Sequence, residues 1–246
     1  MTEAMLLASL VFARVSALYL ALPVIDTAGV PRAVPVLLAL VTTAVVVPYV
    51  ELAPGTGMLV PFMGEIALGA AAGLIVRAVF ASLALAGELM SMQMGLQMAQ
   101  LFDPVQGTQQ GPVSVLSTLL ASLVFLQLDL HATVLLLLVR GFETVPPGTF
   151  DPLAVRGDLV IDAVGSTFRF GLQLSAPVLV LVLLINTLVG ILGKLAPRMN
   201  VFFSVGPTLT TAGSIALLAQ ALPALLAAHA DMLKDVLPSV VAVWGR

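Results

Sequence analysis

The sequence predicts an all-α, polytopic hydrophobic protein built from broken helices and helical hairpins, and three observations carry that reading. Composition comes first: 60% of the 246 residues are hydrophobic and only 9% are charged. A soluble domain is about 45–50% apolar and about 25% charged, so this chain lives in lipid or inside an assembly. Second, six apolar blocks lie at approximately 4–22, 33–50, 59–86, 113–139, 171–193 and 207–228, near the span of about 20 residues that crosses a bilayer. Third, no strand alternation, heptad repeat or low-complexity tract interrupts them. Prolines do: Pro23, Pro48, Pro61, Pro177, Pro207 and Pro223 fall in or beside the blocks. Interrupted helices suit conduits, where freed backbone groups face a cavity or a protein partner.

The first block opens on Met1-Thr-Glu-Ala, which lacks a basic n-region, so no cleaved signal peptide is expected at this start. It carries Arg14 in its interior. The turn clusters Pro31-Arg-Ala-Val-Pro35 and Ala53-Pro-Gly-Thr-Gly57 flank the second block. The third holds Glu65, Arg77 and Glu88 along one helical stretch. Arg77 and Glu88 are eleven residues apart, so they share a face but stand roughly 16 Å apart along the axis. Each is expected to find a partner on another helix or in water, because an unpaired intramembrane charge is costly. Gly69-Ala-Ala-Ala-Gly73 puts two glycines on one face of the same block and permits close helix approach. Gly87, Gly95, Gly190 and Gly193 are read as extending that habit.

The segment Gly87 to Pro104 is neither a normal span nor a normal loop. As a helix it sets Met90, Met94 and Met98 in one stripe and Gln93, Gln97 and Gln100 in a second beside it. Asp103-Pro104 is then expected to stop the helix, since proline disfavours α geometry in the residue before it. Thioether side chains re-pack around whatever touches them, which suits a surface meeting varied partners. They equally suit a buried helix with methionine as gap filler. Beyond the stop, Gly107 and Gly111-Pro112 make a stretch of low helix propensity.

Asp129 and His131 interrupt the fourth block. Two residues apart, they point in different directions on a helix and cannot form one site. A proton relay is one reading, and a polar break that ends or bends the helix is the favoured one. Pro146-Pro-Gly-Thr149 and Ala196-Pro-Arg-Met-Asn200 mark the later loops. His229 is expected to be solvated. A last stretch, 231–246, carries Asp231, Lys234, Asp235 and Arg246 and reads as an interfacial or assembly-bound helix.

Charge is a weak guide to orientation. If six spans alternate, one side holds Arg140, Arg156, Arg169, Lys234 and Arg246, the other Arg32, Lys194 and Arg198. That is a feeble bias for a rule that normally reads clearly. A net charge of −3 offers no basic patch for nucleic acid. With no cysteine and two histidines, metal chemistry has little to use. No zinc-protease helix, phosphate loop or nucleophile elbow is present. No enzyme, metal or cofactor is expected.

These residues together resemble the FliR family of flagellar biosynthesis proteins, which is related to the minor export-apparatus component of injectisomes. The resemblance spans nearly the whole chain. Its strongest element is Gly87-Glu88-Leu-Met-Ser-Met-Gln93-Met94-Gly95 followed by Phe102-Asp103-Pro104. Asp129 and His131, Pro146-Pro-Gly148, Asn186 and Ala196-Pro-Arg-Met-Asn-Val-Phe202 add to it. The chain departs at Leu130, where the family usually has Gly, and at Val205-Gly206-Pro207. The Gly-Glu and Gln-Met-Gly elements look more like the flagellar than the injectisome branch.

What the resemblance implies is one export-gate domain over residues 1–246, present once beside five FliP-type and four FliQ-type subunits. FlhB-type and FlhA-type proteins, exported flagellar proteins and membrane lipid would be its other partners. It would sit in the bacterial inner membrane at the flagellar basal body. In that family the helices form a spiral cone lifted largely out of the bilayer plane. Residues 101–113 match the loop that plugs the closed channel, which assigns gate or plug roles to Met90, Met94, Met98, Phe102, Asp103, Pro104, Gly107 and Gly111. Arg14, Glu65, Arg77, Glu88, Asp129, His131 and Asn186 become inter-subunit or intramembrane polar positions, and Gly69 and Gly73 helix-packing ones. An injectisome component is the alternative, then a secondary transporter, which would need inverted repeats that are not found. A membrane scaffold without a conduit would not require the glutamine-bearing Met helix.

Overall fold

The computed structural model describes residues 3–22, 31, 33–53, 59–96, 110–149, 157–195 and 206–242. They form seven α-helices: α1 (Glu3–Ala21), α2 (Ala33–Val46), α3 (Leu59–Gln93), α4 (Pro112–Gln127), α5 (Leu130–Thr144), α6 (Gly157–Leu195) and α7 (Gly206–Ala242). A single 3-10 turn, Val47–Tyr49, follows α2. No strand occurs among the described residues. The fold is all-α.

Four helices, α1, α3, α6 and α7, are long and apolar enough to cross a membrane, or five spans if α4 and α5 count as one broken span. The expected six blocks are therefore corrected in two places. The second yields a short helix ending at the 3-10 turn, where Pro48 removes a backbone donor. The fourth breaks at Asp129, whose φ of 52° lies in the left-handed region that no α-helix continues through. Conversely, Pro177 sits inside an unbroken α6, and α7 runs on through Pro223. The stretch from Asp231 continues α7 without a separate start.

The chain divides into two compact units. The first comprises Met1–Phe80, Phe125–Gly165 and Asp231–Arg246. There α1 lies directly against the first half of α3. A Cβ at Gly69 would overlap the Arg14 carbonyl oxygen, and one at Gly73 would overlap Ala21 and sit 3.0 Å from the Leu18 oxygen. The two glycines let the backbones touch. Leu10, Val11, Val15 and Leu18 of α1 and Ile75 and Val79 of α3 are buried. Phe80 and Phe125 meet edge to face, with centroids 5.4 Å apart. The Tyr19 hydroxyl joins α1 to α2 at Thr42, 3.0 Å away.

The second unit comprises Ala81–Val124 and Ser166–Ala230. Its core gathers Ala86, Met90 and Met94 of α3, Val113 of α4 and Val178 and Val182 of α6. Leu217 and Leu218 of α7 pack on it. Gly171 permits another close approach, since a Cβ there would meet Leu85 Cδ2 at 2.8 Å and the Ser82 oxygen at 3.1 Å. Gly190 and Gly193 meet nothing within 4 Å of where a Cβ would be among the described residues, so they show no packing role there. Much of α6, including Leu183, Leu184, Leu188 and Ile191, is exposed. An exposed apolar helix surface of this extent belongs in lipid or in a larger assembly.

Candidate functional site

Two polar constellations stand out, one in each unit. In the first, Arg14 and Glu65 are fully buried and form an ion pair, Nε to Oε2, at 2.5 Å. The guanidinium has five donors and no acceptor, and the chain supplies more than one oxygen. Nη1 donates to the Gly141 carbonyl at 3.3 Å and Nη2 to that of Val145 at 3.0 Å. These carbonyls lie at the end of α5, which attracts positive charge; that of Gly141 also accepts the Val145 N–H at 2.9 Å, so Arg14 is its second donor. The Phe142 ring lies 4.4 Å from the guanidinium carbon.

Glu65 divides its two oxygens. While Oε2 takes Arg14, Oε1 accepts the Gly148 N–H at 3.1 Å. Gly148 has φ 91°, and Thr149 N–H closes on the Pro146 carbonyl at 3.1 Å. Proline followed by a positive-φ glycine is the signature of a type II turn. Ala53 N–H ties in the same turn through the Pro147 carbonyl at 3.1 Å. The Pro-Pro-Gly motif thus presents a backbone donor to a buried carboxylate. Arg14 and Glu65, which the resemblance made inter-subunit or intramembrane polar positions, satisfy each other within the chain, 51 residues apart in sequence.

In the second unit the end of α3 holds the start of α4. The helix stops at Gln93, ten residues before Asp103, because Gly95 takes φ 73°. Leu96 N–H bonds the Ser91 carbonyl at 3.1 Å and Gly95 N–H that of Met92 at 3.2 Å. This double closure is a Schellman motif, which satisfies carbonyls orphaned by the helix end. Gly95 therefore caps, and among the described residues nothing lies within 4 Å of where its Cβ would be. A glycine near a helix end is a C-terminal signal, here masked by the Met stripe that runs on to Met98.

Across the gap, Glu88 Oε2 accepts the Gly111 N–H at 2.8 Å and Ser91 Oγ accepts the Val113 N–H at 3.1 Å. Ser114 Oγ donates back to the Ala84 carbonyl at 3.0 Å. Pro112 opens α4, where its missing N–H costs nothing. The first-turn amides are thus capped by side chains of another helix, with a carboxylate beside the positive helix end. A Cβ at Gly87 would lie 2.6 Å from Ser114 Cα, and one at Gly111 would overlap Ser91. One turn of α3, Glu88 to Ser91, thereby fixes both Leu96 and Gly111. Residues 112 and 113, expected at the end of a loop, are helical and Val113 is buried.

Met90 and Met94 are buried in the second core, so within this chain they fill space rather than offer a surface. Met98, Phe102, Asp103, Pro104 and Gly107 lie outside the described residues. Arg77 is exposed on α3 and Glu88 half-buried. Asp129 and His131 are exposed around the α4–α5 break, and Asn186 is exposed on α6. His229 is buried on α7, which corrects the expectation of a solvated ring. Among the described residues no group of three or more His, Asp or Glu could hold a metal. Sequence reasoning missed Ser91 and the reach of Glu88, since neither capping bond leaves a local pattern.

The family model described as bacterial export proteins, family 1, matches residues 5–236. The chain is 30% identical over 237 residues to the flagellar biosynthetic protein FliR of Caulobacter vibrioides, covering 94% of each chain. Against the FliR of Pectobacterium carotovorum it is 31% identical over 240 residues, 92% of this chain and 90% of the relative. Against that of Escherichia coli K12 it is 31% identical over 215 residues, 85% and 82% respectively.

Proposed function

The chain belongs to the bacterial export proteins, family 1, and from that premise we propose that it is a channel-forming component of the flagellar type III protein export gate. Its task is to help pass unfolded flagellar proteins across the bacterial inner membrane, at the flagellar basal body. Four or five apolar spans support residence in a membrane. The exposed apolar face of α6 supports burial in a larger assembly. FliP-type and FliQ-type subunits, five and four to one of this chain, with FlhB-type and FlhA-type proteins, are the proposed company.

The observation that carries a gating role is the double anchorage at Glu88 and Ser91. It fixes Leu96 and Gly111 to one turn of α3, so the proposed plug, residues 101–113, lies between a held helix end and a held helix start. A seal must be held by only a few kcal/mol, or passing chains could not displace it. Deleting residues 106–109, with Gly111 kept, should leave the complex assembled and the membrane leaky to small ions. A normally assembled complex in a membrane as tight as wild type would remove the plug assignment.

A further inference from the structure

Beside the anchored turn, the second unit holds an open cleft of about 410 Å³. Gln93 and Met94 come to it from the end of α3, Asn186 and Val189 from α6, and Thr210 and Thr211 from the first turns of α7. Among the described residues that line it, none is charged. The amides of Gln93 and Asn186 are exposed, and neither is committed to a hydrogen bond or ion pair. Both threonine hydroxyls have spent their protons, Thr210 on the Gly206 carbonyl at 2.9 Å and Thr211 on that of Met94 at 2.8 Å. Their lone pairs remain as acceptors.

The chemistry of this lining is specific. A primary amide offers a donor pair and an acceptor on one flat group, the same complement as a peptide unit. A neutral lining gives an ion or a charged side chain no counter-charge for its lost hydration. An extended polypeptide is different: it carries one unpaired N–H and one unpaired C=O at nearly every residue, whatever its side chains. The cleft also shares Met94 and Gly95 with the turn from which the sealing segment departs. A group beside a seal meets whatever displaces the seal.

We propose that Gln93 and Asn186 form a main-chain contact for the exported polypeptide, reading peptide groups and ignoring side chains. This rests on the export-gate reading above. Such a contact would let one cleft serve every substrate sequence.

The chain has no cysteine, so Gln93→Cys or Asn186→Cys introduces its sole thiol. Assembled export complexes in membranes would be loaded with a substrate stalled by a tightly folded C-terminal domain. That substrate would carry one cysteine at each of several consecutive positions, and disulfides would be formed by mild oxidation. Adducts from both sites to many consecutive positions are expected, with none from Leu188→Cys on the exposed face of α6. The paired Gln93→Leu and Asn186→Leu change should lower secretion of unrelated substrates by a similar several-fold factor, with the complex still co-purifying. A stalled substrate that forms no adduct at either site, or adducts only to another subunit, overturns the proposal and leaves the export reading standing. Failure of the assembled complex to retain any substrate overturns both.

Discussion

Arg14 and Glu65, 51 residues apart, form a fully buried ion pair that binds α1 to α3 and, through Gly141, Val145 and Gly148, to the end of α5. Burying two charges costs several kcal/mol each unless every remaining donor and acceptor is met. Here Glu65 uses both oxygens and Arg14 reaches two carbonyls and a ring. The pair thus works as a specific clasp on this packing.

Removing one partner should strand the other. Arg14→Met or Glu65→Leu is each expected to cost about 3–5 kcal/mol, read as loss of the protein from membranes and a lower unfolding temperature in detergent. The double change should recover part of that loss but not all, because the Val145 carbonyl and the Gly148 N–H lose these partners too. Strictly additive single effects would mean that the two side chains do not depend on each other.

Glycine positions separate by what surrounds them. Gly69→Ala places a methyl group against the Arg14 backbone carbonyl, which forces α1 away and should cost about 1–3 kcal/mol. Gly190→Ala, in open space, should be neutral or stabilising by up to about 1 kcal/mol, the helix propensity difference. Equal effects at the two sites would contradict the close α1–α3 approach.

The cap at Gly95 makes a sharper demand. Gly95→Ala must hold φ 73° with a side chain, at a cost of about 1–2 kcal/mol. Gly95→Asn should cost less, since asparagine visits that region more readily. Proteolytic sensitivity between residues 93 and 111 is the measurement. Identical protection for Ala, Asn and wild type would argue against the cap.

Asp129 at φ 52° is a break in the chain path. Asp129→Asn keeps a residue tolerant of that geometry and should leave secretion unchanged across external pH. Asp129→Val should lower abundance, because a β-branched residue is a poor fit at positive φ. Complete loss of secretion by Asp129→Asn with normal assembly would restore the proton-relay reading.

What the sequence disclosed and what it hid follow from distance along the chain. Helices were legible because apolar runs and proline clusters are local, and Gly69 and Gly73 were legible because a small-residue face has a fixed period. The Arg14–Glu65 pair was not, since nothing in either neighbourhood encodes a partner 51 residues away. The stop at Gly95 was misplaced to Asp103 because a Met stripe of correct period ran on past it, and the glycine was read as packing. The break at Asp129 was suspected from its polarity, yet only its backbone angle ended the span there. Pro177 shows the converse: its place within an apolar block suggested a break, but α6 runs straight through it.

Since Arg14 and Glu65 satisfy each other within the chain, the surface left for partners or lipid is the exposed apolar one, that of α6 above all. Affinity purification of the tagged chain from native membranes in mild detergent, followed by native mass measurement, tests the export-gate reading most directly. The account predicts one defined hetero-oligomer holding a single copy of this chain among several copies of other hydrophobic subunits. A monodisperse, thermally robust monomer or homodimer carrying no other subunit would contradict it.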